Sequence, residues 1–82
     1  MTRAEILAGV AEVARRHVGI EAPLAPAQRL VEDLGLDSLR LLTLAAEVEN
    51  HFRVTLDPED EAHIATVGDL VDVLAGKLDA GC

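Results

Sequence analysis

From Ser38 to Phe52 the chain reads SLRLLTLAAEVENHF, and its apolar side chains recur at helical spacing, not in strict alternation. Three further segments carry the same period, each behind its own helix-start signal. Thr2 and Glu5 form a capping box ahead of Ile6, Val10, Val13 and Ala14, with Leu7 and Val18 beside them. Gly19 is placed to stop that helix. Asp57-Pro58 joins an N-cap to a proline in the first turn and opens a short third helix to about Ile64. Thr66 and Asp69 make a shorter box ahead of Val67, Leu70, Val71, Val73, Leu74 and Leu78, and Gly81 follows the end. No segment reads as a strand. The expectation is an all-α fold of four helices.

A chain of 82 residues holds one domain. With one Phe and no Trp or Tyr, the core must be built from Leu, Val, Ile and Ala. A core of that size supports a stability of roughly 3–5 kcal/mol, so single core changes should be felt. The formal charge of -8, from 15 acidic and 7 basic side chains, disfavours nucleic acid and anionic membranes. It either favours partners with basic surfaces or only keeps a small protein dissolved. The lone cysteine, Cys82, offers neither an internal disulfide nor a metal-ligand cluster, and a disordered tail is expected there. No apolar run reaches the roughly 18 residues of a membrane span. Met1 opens directly into a helix signal instead of a signal peptide, so a free-standing, monomeric, cytoplasmic protein is expected.

Residues 20–37 form a long connection in which Pro23 and Pro26 exclude a regular helix at the start. Leu30, Val31, Leu34 and Leu36 are too apolar for a free loop. They are expected to pin it to the core, with a short turn around Leu30 to Leu34. Long ordered loops in small domains are often functional.

On a wheel of about 100° per residue, Arg40, Thr43, Glu47, Asn50 and His51 share the polar side of the second helix. The apolar arc opposite is wider than a core stripe needs, and Ser38 with Glu49 divides it. Leu41, Leu44, Ala45, Val48 and Phe52 make the core face; Leu39, Leu42 and Ala46 make a smaller group. Either the smaller group packs beneath the long connection, or it stays exposed as an apolar strip of the kind that marks contact sites.

Ser38 lies where the unpaired N–H groups and positive dipole end of that helix gather, a setting suited to phosphate. Asp37 stands alongside and could hold a metal ion or a basic partner residue. Gly35 gives the preceding turn its freedom. The plainer reading is that Asp37 and Ser38 only cap the helix.

The stretch VEDLGLDSLRLLTLAAEVENHFRVTL resembles the core of the acyl carrier proteins. The likeness rests on the Glu32-Asp33-Leu34-Gly35 lead-in, the Asp37-Ser38-Leu39 signature, and Glu49 and Phe52 at the expected distances. It continues through Asp57-Pro58 and IATVGDLVDVL, residues Ile64 to Leu74, which looks like the family's third-to-fourth helix junction. The resemblance implies one acyl-carrier domain over residues 1–82: a small four-helix bundle with a long loop between helices 1 and 2 and a short helix 3. It also implies that a phosphopantetheinyl transferase, using magnesium, moves 4'-phosphopantetheine from coenzyme A to the Ser38 hydroxyl. Such a protein presents thioester-bound acyl groups to acyl-loading enzymes, a ketosynthase or other enzymes, and is no catalyst itself. Asp37 joins Ser38 at the cofactor, and no metal site of the protein's own is implied. The partner surface implied is Leu39, Arg40, Leu42, Ala46 and Glu47.

This chain departs from the family where Arg40 and Thr43 replace the usual acidic residues and Asn50 interrupts the acidic run. Basic patches on partners usually read that acidic face, so the swap argues against primary fatty-acid synthesis and for polyketide or other specialised-metabolite assembly. Peptidyl carriers rank lower, because Leu36 stands where their second glycine of Gly-Gly-x-Ser would be. A catalytic Ser38 would need a base, yet His51 falls on the far side of the wheel, nothing ties His17 or His63 to it, and there is no Gly-x-Ser-x-Gly elbow. The acids of Asp57 to Glu61 lack EF-hand spacing and suit a helix N-terminus. The remaining rival is a protein-interaction module with the same fold and an unmodified Ser38.

Overall fold

The computed structural model describes residues 2–21 and 23–80, with side chains to residue 78. The expectations placed on Met1, Gly81 and Cys82 lie outside the described residues. Four helices follow in order: α1 (Arg3–His17), α2 (Ser38–Phe52), α3 (Pro58–Ala62) and α4 (Val67–Ala80). α1 packs against both α2 and α4, and residues 23–37 lead into the start of α2.

The capping residues read from the sequence make their bonds. Thr2 Oγ1 accepts from Glu5 N at 3.2 Å, while Glu5 Oε1 accepts from Thr2 N at 2.8 Å. Past Val18, Gly19 adopts a left-handed φ of 74°, and Ile20 N reaches back to Ala14 O at 3.1 Å, which closes α1. Asp57 opens α3 with a full capping box, beyond the plain cap expected: Asp60 N donates to Asp57 Oδ1 at 2.9 Å, and Asp60 Oδ2 also accepts from Asp57 N at 3.2 Å. The third helix ends at Ala62, not Ile64. His63 N and Ile64 N bond only three residues back, to Asp60 O and Glu61 O, so the chain tightens out of the α-helix there.

The core is aliphatic except for Phe52. Ile6, Val10 and Val13 of α1 meet Leu44 and Val48 of α2 and Val67, Leu70 and Leu74 of α4. The connection joins them through Leu30 and Leu36, with Leu34 half-buried against the cluster. Val31 is the exception to the expected pinning, being 55% exposed. Residues 29–35 form one helical turn, with Asp33 N bonded to Arg29 O and Gly35 N to Val31 O. That turn sets Leu30 and Leu34 on one face and rotates Val31 off it.

The same connection caps α4. Val67 N donates to Gln28 O and Gly68 N to Pro26 O, both at 2.9 Å, while Leu30 N donates to Ala65 O at 3.0 Å. Asp69 Oδ2 accepts from both Ala65 N and Thr66 N at 3.0 Å, and Thr66 Oγ1 accepts from Asp69 N. The first N–H groups of α4, which no helical turn can satisfy, therefore hold the loop in place.

α2 ends on Arg53 in the left-handed region, at φ 57° and ψ 47°. A side chain there carries about 1–2 kcal/mol of steric cost, and no carboxylate pairs with Arg53 among the described residues. Glycine removes that cost but gives back about 0.5–1 kcal/mol in chain entropy. Arg53→Gly should therefore raise stability by about 0.5–1 kcal/mol, seen as a higher urea midpoint at unchanged slope. A lower midpoint would contradict the strain argument.

Four carboxyls are held below their ordinary range. Asp69 is lowered by the N–H groups of Ala65 and Thr66, and Asp60 by Lys77 and the Asp57 N–H. Glu5 is lowered by the Thr2 N–H and Glu12 by Arg15. A depressed carboxylate adds stability above its unfolded value, and that stability is lost as pH falls through the folded one. The melting temperature should thus be flat from neutrality to about pH 5 and fall below about pH 4. Asp69→Asn should melt lower at neutral pH and lose less on acidification. An equal acid loss in the variant would show that Asp69 does not contribute to it.

Candidate functional site

Hydrogen bonds and a buried leucine fix the approach to Ser38. Asp33 Oδ2 accepts from Arg29 N at 2.7 Å and closes the turn of the lead-in. Gly35, at φ 69°, redirects the chain, and Leu36 drops into the core with 1% of its surface exposed. Asp37 follows in extended conformation as the N-cap, its Oδ1 accepting from Arg40 N at 2.8 Å. The cap is Asp37 alone. Ser38 is the first helical residue, exposed, and its hydroxyl makes no hydrogen bond among the described residues. The N–H groups of Ser38 and Leu39 precede the first residue that a helical bond can serve and stay unpaired there. A free hydroxyl beside two free donors at the positive end of a helix is well suited to carry a phosphodiester.

The smaller apolar group of α2 is exposed: Leu39 to 72%, Leu42 to 65%, with Ala46 beyond them. It does not pack beneath the long connection. Between this strip and α3 lies an apolar cleft of about 330 Å³, lined by Leu42, Ala45, Leu56 and Ile64, with Ser38 and Glu61 among its polar walls. Sequence reasoning missed the cleft, because its walls come from four separated segments.

Arg40 is exposed beside the strip. Glu47 lies away from it, on the seam with α1, where its Oε2 is 3.2 Å from His17 Nε2. Glu49 has a role that the sequence left unassigned: its Oε2 accepts from Leu56 N at 2.9 Å and ties down the chain after α2. An acid inside an apolar arc was the available signal, since such a group needs a donor nearby. His51 packs edge-on against Phe52, ring centroids 4.8 Å apart, and no histidine bonds to Ser38 among the described residues. The acids opening α3 are used locally, Asp57 and Asp60 in the capping box and Asp60 also with Lys77 at 2.7 Å. No helix of the described residues is long and apolar enough to cross a membrane.

The family model for the phosphopantetheine attachment site matches residues 4–74. The chain is 39% identical over 72 residues to the meromycolate extension acyl carrier protein of Mycobacterium leprae, an alignment covering 87% of this chain and 63% of that relative. It is 33% identical over 76 residues to the acyl carrier protein of Myxococcus xanthus, covering 92% and 96% of the two. A solved structure from Mycobacterium tuberculosis, assigned as an acyl carrier protein, superposes with a TM-score of 0.72 at 32% identity, over 90% of this chain and 95% of that one. These matches run through the capped helix, the free hydroxyl and the connection stitched to α4. The chain belongs to the acyl carrier protein family, whose members carry a covalently attached 4'-phosphopantetheine.

Proposed function

We propose that residues 1–82 are a single acyl-carrier domain, that Ser38 is its attachment point, and that it serves polyketide or other specialised-metabolite assembly in the cytoplasm. One observation carries the assignment of Ser38: Asp37 takes over the capping and leaves the neighbouring hydroxyl free. In the transfer, Ser38 Oγ would lose its proton and attack the phosphorus that bears the pantetheine, breaking that phosphorus's bond to the bridging oxygen of coenzyme A's pyrophosphate and releasing adenosine 3',5'-bisphosphate. The second oxygen of Asp37, not engaged by Arg40 N, is placed to help hold the transferase's magnesium. The attached arm supplies a terminal thiol on which acyl groups travel as thioesters. The chain's own residues position the attachment point and present the docking surface, while chemistry is left to the partners: the phosphopantetheinyl transferase, acyl-loading enzymes and a ketosynthase.

The pathway reading rests on Arg40 and Thr43, which remove the acidic face expected for primary fatty-acid synthesis. A second reading, elongation of long acyl chains, is favoured by the meromycolate extension relatives and by the apolar cleft beside Ser38. Loading the modified protein with short and long acyl groups separates the two readings, since only a long chain should raise the melting temperature by filling the cleft.

Incubation with coenzyme A, magnesium and a broad-specificity phosphopantetheinyl transferase tests the assignment by intact mass. One phosphopantetheinyl addition is expected, absent in Ser38→Ala. No addition with several transferases would leave the unmodified interaction module as the better reading.

A further inference from the structure

Five of the seven Lys and Arg side chains are ion-paired: Arg3 with Asp72, Arg15 and Arg16 with Glu12, Arg29 with Glu32, and Lys77 with Asp60. Among the described residues, Arg40 and Arg53 have no carboxylate partner. Arg53 sits at the far end of α2, whereas Arg40 is two residues from Ser38 and next to Leu39. The acids of α2 itself are both engaged within the fold, Glu47 with His17 and Glu49 with Leu56 N, while the cap Asp37 holds Arg40 N through one oxygen. In a chain of charge -8, the uncommitted charge on α2 beside the exposed leucines is therefore a cation.

The other flank has the opposite sign. α3 offers Glu59 and Glu61, neither in an ion pair among the described residues, and Glu61 shares the cleft wall with Leu42 and Ser38. Arg40 lies about 100° around α2 from Leu39, toward the side that Glu47 turns to α1. The strip of Leu39 and Leu42 thus runs between the unpaired guanidinium of Arg40 and the unpaired carboxylate of Glu61.

We propose that partner enzymes meet this face with a surface of two signs: a carboxylate against Arg40, an apolar patch on Leu39 and Leu42, and a Lys or Arg against Glu61. The proposal rests on the carrier reading and adds the chemistry of the partner. A uniformly basic patch docking over the leucines would strip water from Arg40 and leave it facing like charge, which penalises the complex. A partner of two signs satisfies both flanks and can dock in one orientation only, with its active site over Ser38.

The test is the kinetics of Ser38 modification by the phosphopantetheinyl transferase that, from a panel, has the lowest KM for the native chain. Arg40→Glu should raise KM about fivefold at unchanged kcat, the size expected when an exposed pair turns from attraction to repulsion. Arg40→Gln should fall between, the Glu61→Lys variant should also raise KM, and added salt should shrink all three effects. An unchanged or lowered KM in Arg40→Glu, with mass gain and helical signal intact, overturns the two-signed surface and leaves the carrier reading standing. No mass gain by the native chain overturns both.

Discussion

Phe52→Ala should leave the protein largely unfolded at 25 °C. Phe52 is the only aromatic residue in the sequence and is 7% exposed in the last turn of α2. Its ring fills the space that α1 leaves at Gly9, where a Cβ would stand only 2.5 Å from Phe52 Cζ. Truncating a buried Phe costs about 3–5 kcal/mol through lost burial and the cavity left behind. A domain of this size has roughly that much stability in total. Far-UV circular dichroism should show loss of most helical signal, partly restored in Phe52→Leu. Gly9→Ala tests the same contact from the other side. Alanine favours the helix by about 1 kcal/mol over glycine, but the new methyl collides with the ring, so a net loss is expected. That loss should shrink in a Phe52→Leu background, because neighbours in contact are not additive. A fully cooperative Phe52→Ala protein melting only a few degrees lower would show that the aliphatic core closes without the ring.

What could be read ahead of the structure was what is local. Thr2 with Glu5, Asp57 with Pro58, and Thr66 with Asp69 act across three residues or fewer, so each helix start stands in the sequence as a short pattern. Gly19 was legible for the same reason: glycine announces a left-handed stop. Arg53 makes the same turn without that signal, and nothing in its neighbours reveals it. The path of the long connection was least legible. Its anchors on α4 are backbone groups, Gln28 O with Val67 N and Pro26 O with Gly68 N, some forty residues apart and indifferent to side-chain identity. Val31 misled because hydrophobicity says that a residue prefers burial, not which way a single turn rotates it.

The site divides the same way. Ser38 stood out through the family signature around it, while the residues alone allowed it to be a cap. Only the structure separates the two carriers of oxygen, giving the cap to Asp37 and the open position to Ser38. The family resemblance implies a partner surface that includes Glu47. Its pairing with His17 depends on where α1 ends, which no wheel of α2 contains.

Leu39→Glu should slow modification of Ser38 at least thirtyfold in kcat/KM while the helical content is unchanged. Leu39 is 72% exposed, so its side chain contributes little to the core. A glutamate in the first turn of α2 faces the positive end of the helix dipole, which favours the fold slightly. Stability and function should therefore move in opposite directions, which a folding defect cannot do. The functional loss follows if Leu39 is an apolar anchor that an enzyme must bury to reach the adjacent hydroxyl. A central anchor of that kind is worth about 2 kcal/mol or more, and a charge there adds desolvation without a partner. Ala46→Glu, two turns further on, should cost less, because it lies farther from the hydroxyl being modified. If Leu39→Glu is modified at the native rate, the strip of Leu39, Leu42 and Ala46 is not where the transferase docks, and the approach to Ser38 must come instead across the turn of residues 29–35, where Val31 is the exposed apolar group.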